Sequence, residues 1–498
     1  DIKNMDDEKH KEYTGISNKK ILENVKKMAT LNKSMVIRIP VIPGFNDSTE
    51  NIKQTAEFVK ENVKNPKMEL LPYHMLGLDK YKALGLYDYI YKFEVPSKEK
   101  ITFTIIENIK NGIAGLAYLA IHFIFIQSSF VGFNFFMFSM SSPFNLMLRC
   151  KYCFASTGDF GQGRMLMDYE TGKRAIDFLI ERSGDRKFLE VDFFGGEPSL
   201  NFGTVEKLVE YARSQEEPHN KKFRFTVTTN GVHLTDEMID FINKEMYNVV
   251  LSIDGRKEVN DRMRVRVDGS GSYDRIIPNF KKLVEKRPKN KDWYVRGTYT
   301  KYNLDFSNDV MHLYDLGFDQ ISVEPVMADP SEPYAITEAD LPRIFKEYEI
   351  LSEKIQKIRD EGKFINFFHF MIDLDQGPCA IKRLRGCGSG NEYVSVTPDG
   401  DIYPCHQFVG ITEFKMGNLY DGTFNEEMKD MFAHAHVYNK PECKKCWAKF
   451  YCSGGCNANN YIYAGDIHNA HKLSCQIQKK RLECAIMMKA VKMLDSAE

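Results

Sequence analysis

At 498 residues the chain is long enough for two or three domains of about 100 to 200 residues each. Its 68 basic and 69 acidic side chains nearly cancel, so the overall charge does not favour nucleic acid or an anionic membrane as a partner. None of the eleven cysteines precedes Cys150, and nine lie between Cys379 and Cys484. Because clustered cysteines are typical of metal ligands in a reducing compartment, we expect a cytoplasmic metalloprotein without a disulfide framework.

Residues 1–96 predict a small α/β region. Helical periodicity covers Ser17 to Leu31 and Ile52 to Val63, and a β-branched run from Met35 to Val41 ends at a Pro-Gly turn. Alternation of this kind indicates strands covered by helices, so we assign residues 1–96 to an N-terminal α/β fragment.

Three segments of this fragment resemble the C-terminal half of a glycyl-radical-enzyme activating protein of the pyruvate formate-lyase type. They are Asp1 to Asp6, Arg38 to Asp47 and Leu70 to His74. In that family the cluster-binding cysteines lie upstream of this half. The resemblance therefore implies a truncated activase fragment that does not build the family's active site alone.

Residues 97–145 form an apolar junction. No Asp, Glu, Lys or Arg occurs from Gly112 to Leu148, and Ile113 to Phe138 is apolar over the ~20 residues that a membrane helix needs. The stretch is aromatic-rich, has no periodic pattern and joins two unrelated regions. We interpret it as an artefact of gene joining or a disordered junction, with a membrane segment or a buried helix as alternatives.

Strand-like and helical segments alternate regularly after Cys150. The predicted strands are Phe188 to Phe194, Phe223 to Thr228, Val249 to Ile253, Trp293 to Thr298 and Gln320 to Val326, and the predicted helices are Thr171 to Arg182, Thr204 to Ser214, Thr235 to Lys244, Tyr273 to Glu285 and Asp340 to Arg359. This order predicts a parallel sheet, either open or curled into a partial barrel. In such sheets the functional side chains lie at the carboxyl ends of the strands.

Four short motifs fall at or near those strand ends. Cys150-x2-Cys153 is followed by an aromatic residue, Gly195 to Pro198 has the sequence Gly-Gly-Glu-Pro, and Thr229 to Gly231 and Ser252 to Gly255 follow the next two strands. Taken singly they are weak signals, since zinc sites and redox dithiols share Cys-x2-Cys and a Gly-Gly turn also serves a tight connection.

The four motifs together resemble the radical S-adenosylmethionine (SAM) superfamily, which implies a partial (β/α)6 barrel over residues 146–365. The resemblance implies a [4Fe-4S] cluster held by a Cys-x3-Cys-x2-Cys loop with SAM bound to its fourth iron. It assigns Gly195, Gly196 and Glu197 to the methionyl ammonium, Ser252 and Asp254 to the ribose, and Arg262 or Arg264 to the carboxylate. The loop ligands are Cys150 and Cys153, whereas the first cysteine position is Leu146. A missing thiolate weakens cluster binding, so a catalytically impaired iron-sulfur or zinc protein is an alternative.

Residues 366–498 carry all nine remaining cysteines and resemble the SPASM extension, which binds two auxiliary [4Fe-4S] clusters. The resemblance assigns Cys443, Cys446, Cys452 and Cys475 to one cluster and Cys387, Cys405 and Cys456 to the other. Cys379 is a candidate fourth ligand of the second cluster; without it, that iron is open to a substrate thiolate. Zinc is the alternative metal. We expect Cys484, on a predicted amphipathic helix, to be a buried apolar residue.

The segments Leu148 to Phe160 and Tyr403 to Gly410 are most similar to the thioether-forming maturases of SCIFF peptides. The resemblance implies a Cys-rich precursor peptide as partner and an electron carrier such as flavodoxin or ferredoxin. Relatives that mature sulfatases carry an aspartate after the cysteine that matches Cys405, whereas this chain has His406. A serine or cysteine oxidase of that type is the second enzymatic hypothesis.

Overall fold

The computed structural model describes residues 1–31, 35–64, 67–72, 135–139, 147–154, 165–372 and 384–495. Leu146, Cys379 and most of the predicted junction lie outside these ranges. The chain divides into two compact units, Asp1–Ser128 and Ser129–Glu498.

The first unit is an α/β fragment. Its elements are α1 (Asp7–Thr14), α2 (Lys19–Ala29), β1 (Val36–Val41), α3 (Thr49–Asn62) and β2 (Lys67–Pro72). β1 and β2 pair in parallel, and Ile37 and Ile39 of β1 are buried with Ala56 and Val59 of α3. The two helices and the strand predicted from periodicity are confirmed to within three residues at their starts and two at their ends.

The second unit is built on a large sheet. Its strands are β3 (Phe135–Ser139), β5 (Phe188–Phe194), β6 (Lys222–Thr229), β7 (Met246–Ser252), β9 (Asp292–Tyr299), β10 (Gln320–Pro325), β11 (Asn366–Phe367), β12 (Tyr393–Val396), β13 (Asp401–Tyr403), β14 (Gly417–Asn418) and β15 (Thr423–Phe424). Their order is β11-β10-β9-β7-β6-β5-β3-β12-β13-β14-β15. The six strands from β3 to β10 are mutually parallel, which confirms the predicted α/β class and partial barrel.

β3 corrects the predicted start of the barrel. It pairs in parallel with β5 on one side and with β12 on the other, so the sheet begins before residue 146. The patternless aromatic run from Phe135 to Ser139 therefore belongs to the sheet and not to a junction. A strand flanked on both sides can be continuously apolar, and the alternation that marks a half-exposed strand is then absent.

Helices connect the parallel strands. They are α4 (Tyr169–Arg182), α5 (Phe202–Gln215), α6 (Asp236–Glu245), α7 (Lys257–Met263), α8 (Tyr273–Glu285), α9 (Phe306–Asp315) and α10 (Leu341–Asp360). Asp168 and Thr235 cap the helices that follow them by accepting backbone N–H donors. Val191 and Phe193 of β5 are fully buried in one core with Ile176 of α4 and Val205 of α5.

The second unit also contains a small two-stranded antiparallel sheet. β4 (Leu148–Cys150) pairs with β8 (Arg264–Arg266). This pairing places Cys150, the first cysteine of the Cys-x2-Cys motif, opposite Arg264. The sequence pattern did not predict either strand, because three residues are too few to show a period.

The C-terminal region continues the sheet with antiparallel strands and then turns helical. Its helices are α11 (Glu426–His434), α12 (Pro441–Lys444), α13 (Lys449–Cys452), α14 (Asn457–Ala464) and α15 (Lys472–Asp495). α15 packs on α10, where Arg481 donates a 2.8 Å hydrogen bond to the hydroxyl of Tyr348. Cys484 is 4% exposed in the same core, as expected for an apolar residue.

None of the helices in the described ranges combines the length and hydropathy required to cross a bilayer. The apolar stretch that passed the length criterion lies outside those ranges except for its last residues, which are in β3.

Candidate functional site

The turn after β5 is shaped by two glycines. Gly195 has φ 83° and Gly196 has φ 56°, both in the left-handed region that L side chains rarely adopt. The chain then enters a short 3₁₀ helix, Pro198–Asn201, in which the N–H of Ser199 donates to the side chain of Glu197. The two glycines leave the backbone at a strand's carboxyl end without side chains, so a ligand can approach it closely.

Glu197 braces the ends of two strands. Its side chain is 1% exposed, and its carboxylate accepts hydrogen bonds from Thr229 Oγ1 at 2.7 Å, Asn230 N at 2.7 Å and Ser199 N at 3.1 Å. Burial raises the pKa of Glu197, and these donors oppose that effect. The carboxylate thus joins β5 to β6, and its contact with a methionyl ammonium stays a prediction.

Asp254 ties the cysteine loop to the barrel. It is completely buried, and its carboxylate accepts hydrogen bonds from Tyr152 Oη, Arg264 Nε at 3.0 Å and Thr298 N at 3.0 Å. Tyr152 lies between the two cysteines of the motif. Protein groups therefore occupy Asp254, which makes it a positioning residue for the loop. Ser252, the other predicted ribose neighbour, is the partly exposed last residue of β7.

The arginines predicted to meet the SAM carboxylate have partners of their own. Arg264 is bound to Asp254, and Arg262 stacks on Tyr302 with its guanidinium carbon 3.6 Å from the ring centroid. Asp261, which directly precedes Arg262, accepts hydrogen bonds from the backbone N–H groups of Ser272 and Tyr273. Either arginine would have to share or leave these contacts to bind a ligand carboxylate.

The described part of the loop supplies two thiols. Cys150 ends β4, and Cys153 N donates to Cys150 O at 3.1 Å. Burial raises the pKa of the Cys150 thiol to about 11, opposed by the charge of Arg264. The first cysteine position of the family loop is Leu146. The residues therefore fit a SAM-binding cluster with two thiolates of the usual three.

The four predicted ligands of the first auxiliary cluster come together. Every pair among Cys443, Cys446, Cys452 and Cys475 interacts electrostatically. Burial, together with the neighbouring cysteines, raises the pKa of Cys475 to about 12. We name these residues the four-thiol set. Its donors fit a cluster held by four thiolates.

The three described ligands of the second auxiliary cluster also come together. Cys387, Cys405 and Cys456 interact electrostatically in every pairing, and Cys405 is 5% exposed. We name them the three-thiol set; Cys379, the candidate fourth ligand, lies outside the described residues. In the described ranges no three His, Cys, Asp or Glu side chains stand at the spacing of a single-ion site. The thiolates of a cluster bind separate iron atoms and stand farther apart.

An aromatic group connects the cysteine loop to the C-terminal region. The His406 ring lies 5.1 Å from that of Phe154 and 5.0 Å from that of Phe194. Its Nδ1 is 2.8 Å from the hydroxyl of Tyr393. Burial lowers the pKa of His406 to about 3, so the ring is neutral. His406 therefore packs between the barrel and the three-thiol set.

The barrel interior carries polar side chains that sequence reasoning missed. Asp192 is 7% exposed, and burial raises its pKa to about 8, with Arg296 opposing. Arg296 donates to Glu324 at 3.1 Å, and the Glu324 charge interacts with Cys456. The alternation in β5 could have revealed Asp192, because it shares the inward face with Phe194, opposite the buried Val191 and Phe193.

Comparisons with known proteins agree with this arrangement. The family model of the radical SAM superfamily matches residues 147–298, and that of the SPASM iron-sulfur cluster-binding domain matches residues 387–447. The cysteine-type anaerobic sulfatase-maturating enzyme of Clostridium novyi is 26% identical over 340 residues, which cover 63% of this chain and 86% of that protein.

A solved structure shares the fold. Native anSMEcpe with bound AdoMet and the Kp18Cys peptide matches with a TM-score of 0.60 at 20% identity, over 72% of this chain and 98% of that one. At this identity the likeness concerns the fold alone.

The N-terminal fragment matches a different group of proteins. The 4-hydroxyphenylacetate decarboxylase activating enzyme of Clostridioides difficile is 48% identical over 98 residues. These residues are 19% of this chain and 31% of the activating enzyme, so the match spans about a third of that protein. Residues 147–298 and 387–447 make the chain a radical SAM enzyme with a SPASM domain, and its cofactors are a [4Fe-4S] cluster with SAM and the auxiliary iron-sulfur clusters of that domain.

Proposed function

We propose that the chain joins a cysteine sulfur to a backbone carbon of a Cys-rich precursor peptide and so forms a thioether. The observation that carries the proposal is the position of the three-thiol set beside the polar barrel interior. Glu324 of the barrel interacts electrostatically with Cys456 of the set. Tyr393 interacts electrostatically both with Asp192 of the barrel and with Cys405 of the set. A peptide in the barrel is therefore close to a thiolate set that, without Cys379 as its fourth ligand, leaves one iron position for a substrate sulfur.

The cofactors supply, when bound, a 5′-deoxyadenosyl radical that abstracts a hydrogen atom from the peptide. Forming a C–S bond in place of C–H and S–H removes two hydrogens from the peptide. One leaves as an atom to the deoxyadenosyl carbon, and the other leaves as a proton and an electron. The electron passes to an acceptor of the flavodoxin or ferredoxin class, and the proton passes to solvent.

This chain's residues orient and enclose the reacting groups. Asp254 holds Tyr152 and therefore the cysteine loop against the barrel. His406, neutral and packed against Phe154 and Phe194, closes the boundary between the loop and the three-thiol set with apolar surface. Exclusion of water from this boundary protects a carbon radical from side reactions.

The relative from Clostridium novyi favours a second candidate, the oxidation of a cysteine or serine side chain to an aldehyde. His406 separates the two hypotheses, since sulfatase-maturing relatives carry an aspartate at this position. A neutral imidazole with a pKa of about 3 does not replace a carboxylate as a base near neutral pH.

Mass spectrometry of a modified peptide tests the proposal. The anaerobically reconstituted chain, native and as Leu146→Cys, is incubated with SAM, a reductant and a synthetic Cys-rich peptide; the same peptide with every cysteine replaced by alanine is the control. Loss of two hydrogens with a crosslink in fragment spectra supports the thioether. An aldehyde supports the oxidase, and a peptide unchanged by both proteins contradicts both enzymatic functions.

A further inference from the structure

A lysine lies buried between the two auxiliary cysteine sets. Lys440 precedes α12 and is 0% exposed. Its ammonium donates to the carbonyl of Gly454 at 2.9 Å and to Asn457 Oδ1 at 2.8 Å. Both acceptors are neutral, so these hydrogen bonds do not cancel the charge of the ammonium. Burial of an ammonium without a neutralising partner is costly, which indicates an anionic neighbour.

The anionic neighbours are the cysteine ligands. Lys440 interacts electrostatically with Cys443, Cys452 and Cys475 of the four-thiol set, and with Cys456 of the three-thiol set. Burial lowers the pKa of Lys440, and the four thiolates raise it again. Lys440 therefore lies within the electrostatic range of both sets.

The surrounding loop is formed around this side chain. Ser453, Gly454 and Gly455 follow one another in the left-handed region, with φ 59°, 87° and 73°. The turn directs the Gly454 carbonyl to the ammonium. Asn457 binds Lys440 with its oxygen and donates from Nδ2 to Ser389 Oγ at 3.1 Å, two residues after Cys387. One lysine thus contacts the connection between Cys452 and Cys456.

We propose that Lys440 is an internal counter-charge shared by both auxiliary clusters and that it raises the reduction potential of each. This inference rests on the cluster assignment of the proposed function. A cluster that gains an electron becomes more negative, so a fixed cation nearby stabilises the reduced form more than the oxidised form. In a buried site of low dielectric, bulk salt screens this interaction weakly. Because the same charge acts on both sets, it shifts the two potentials in the same direction.

Three variants test the charge. Lys440→Gln removes the charge but keeps an amide donor, and Lys440→Arg keeps the charge. Lys444→Gln is the matched control, because Lys444 is exposed and follows Cys443 directly. Each full-length chain is reconstituted anaerobically with iron and sulfide and titrated with dithionite, and the reduced clusters are quantified by electron paramagnetic resonance.

We expect Lys440→Gln to lower the ratio of reduced to oxidised auxiliary cluster about tenfold at fixed potential, which is 59 mV for a one-electron couple. The shift persists at high salt. Lys440→Arg stays close to the native titration, and so does Lys444→Gln, whose charge water and ions screen.

Two outcomes overturn the inference. One is a native titration curve for Lys440→Gln at full iron content. The other is equal loss of iron from Lys440→Gln and Lys440→Arg, which shows that the side chain only shapes the loop. A native chain that binds zinc and no iron contradicts the cluster assignment itself, and elemental analysis of the native chain separates that case from failure of the charge.

Discussion

The cysteine loop of the barrel and the cysteines of the C-terminal region differ in completeness. The loop supplies two described thiols, Cys150 and Cys153, and has leucine at the first position. The C-terminal region gathers seven thiols into two sets whose members interact with one another. Spacing along the chain marks both regions equally well. Only the second, however, has a full complement of donors for one cluster and three donors for another.

The difference shows that the hydrogen-bonded structure around a cluster site can form independently of the number of cysteine ligands in it. Around the loop, Asp254 and Glu197 form buried networks that hold the barrel ends in place, although a ligand is absent. Restoring or removing single donors therefore tests each region while its frame stays intact.

The largest effect is expected from restoring the first loop ligand. Leu146→Cys completes the Cys-x3-Cys-x2-Cys spacing, so we expect about four more iron atoms per chain and at least a tenfold increase in 5′-deoxyadenosine formation. Iron analysis and chromatography of the SAM cleavage products measure both. Met147→Cys adds a thiol one residue out of register and is the control. If both variants behave alike, the spacing argument is wrong.

Removal of one ligand from the four-thiol set is expected to have the next largest effect. Cys452→Ser leaves three thiolates, and about four iron atoms per chain should be lost because the cluster loses a corner ligand. Cys484→Ser is the matched control, since Cys484 is a buried cysteine of the core. Equal iron loss from the two variants would count against the assignment.

The buried ion pair between Asp254 and Arg264 stabilises the fold around the cysteine loop, whether or not the first loop ligand is present. Asp254→Asn leaves Arg264 buried without its counter-charge, and we expect it to lower the free energy of unfolding by about 3 to 5 kcal/mol. Asp268→Asn breaks an exposed ion pair with Arg266, the last residue of β8, and should cause no measurable change in the free energy of unfolding. Denaturant unfolding of both variants makes the comparison. A native-like Asp254→Asn would show that the frame does not depend on this network.

The pH dependence of stability tests the barrel interior. Burial raises the pKa of Asp192 to about 8 from 3.8, so the folded chain keeps a proton that the unfolded chain releases. That stabilisation is complete below pH 3.8 and is lost as the pH rises to 8. Relative to Asp192→Asn, the native chain should lose about 1.4 kcal/mol of unfolding free energy per pH unit in this window. Asp185 is exposed, so the unfolding free energy of Asp185→Asn should depend on pH as that of the native chain does. The same pH dependence for Asp192→Asn and Asp185→Asn would contradict a raised pKa for Asp192.

The repeating part of the fold was predictable because its signals are local. The strand from Phe188 to Phe194 and the helix from Tyr273 to Glu285 were predicted at their observed bounds. β3 was missed because its continuous aromatic run, in a strand paired on both sides, has no period of two. β4 and β8, of three residues each, are likewise too short to show an alternating pattern.

The site was predictable where spacing along the chain decides it. Both thiol sets follow the spacings of a known extension, and the described members of each do come together. The roles of Asp254 and Lys440 could not be predicted, because the sequence does not show whether a charged residue is buried or exposed to solvent. Their partners, Arg264 at ten residues and Asn457 at seventeen, are fixed only by the turns between them.

The most direct test of the central claim is the metal content of the native chain purified without oxygen. Two complete auxiliary clusters predict about eight iron atoms and eight sulfides per chain, with a brown colour that the Cys452→Ser variant halves. A colourless protein that contains zinc and neither iron nor sulfide would contradict the account.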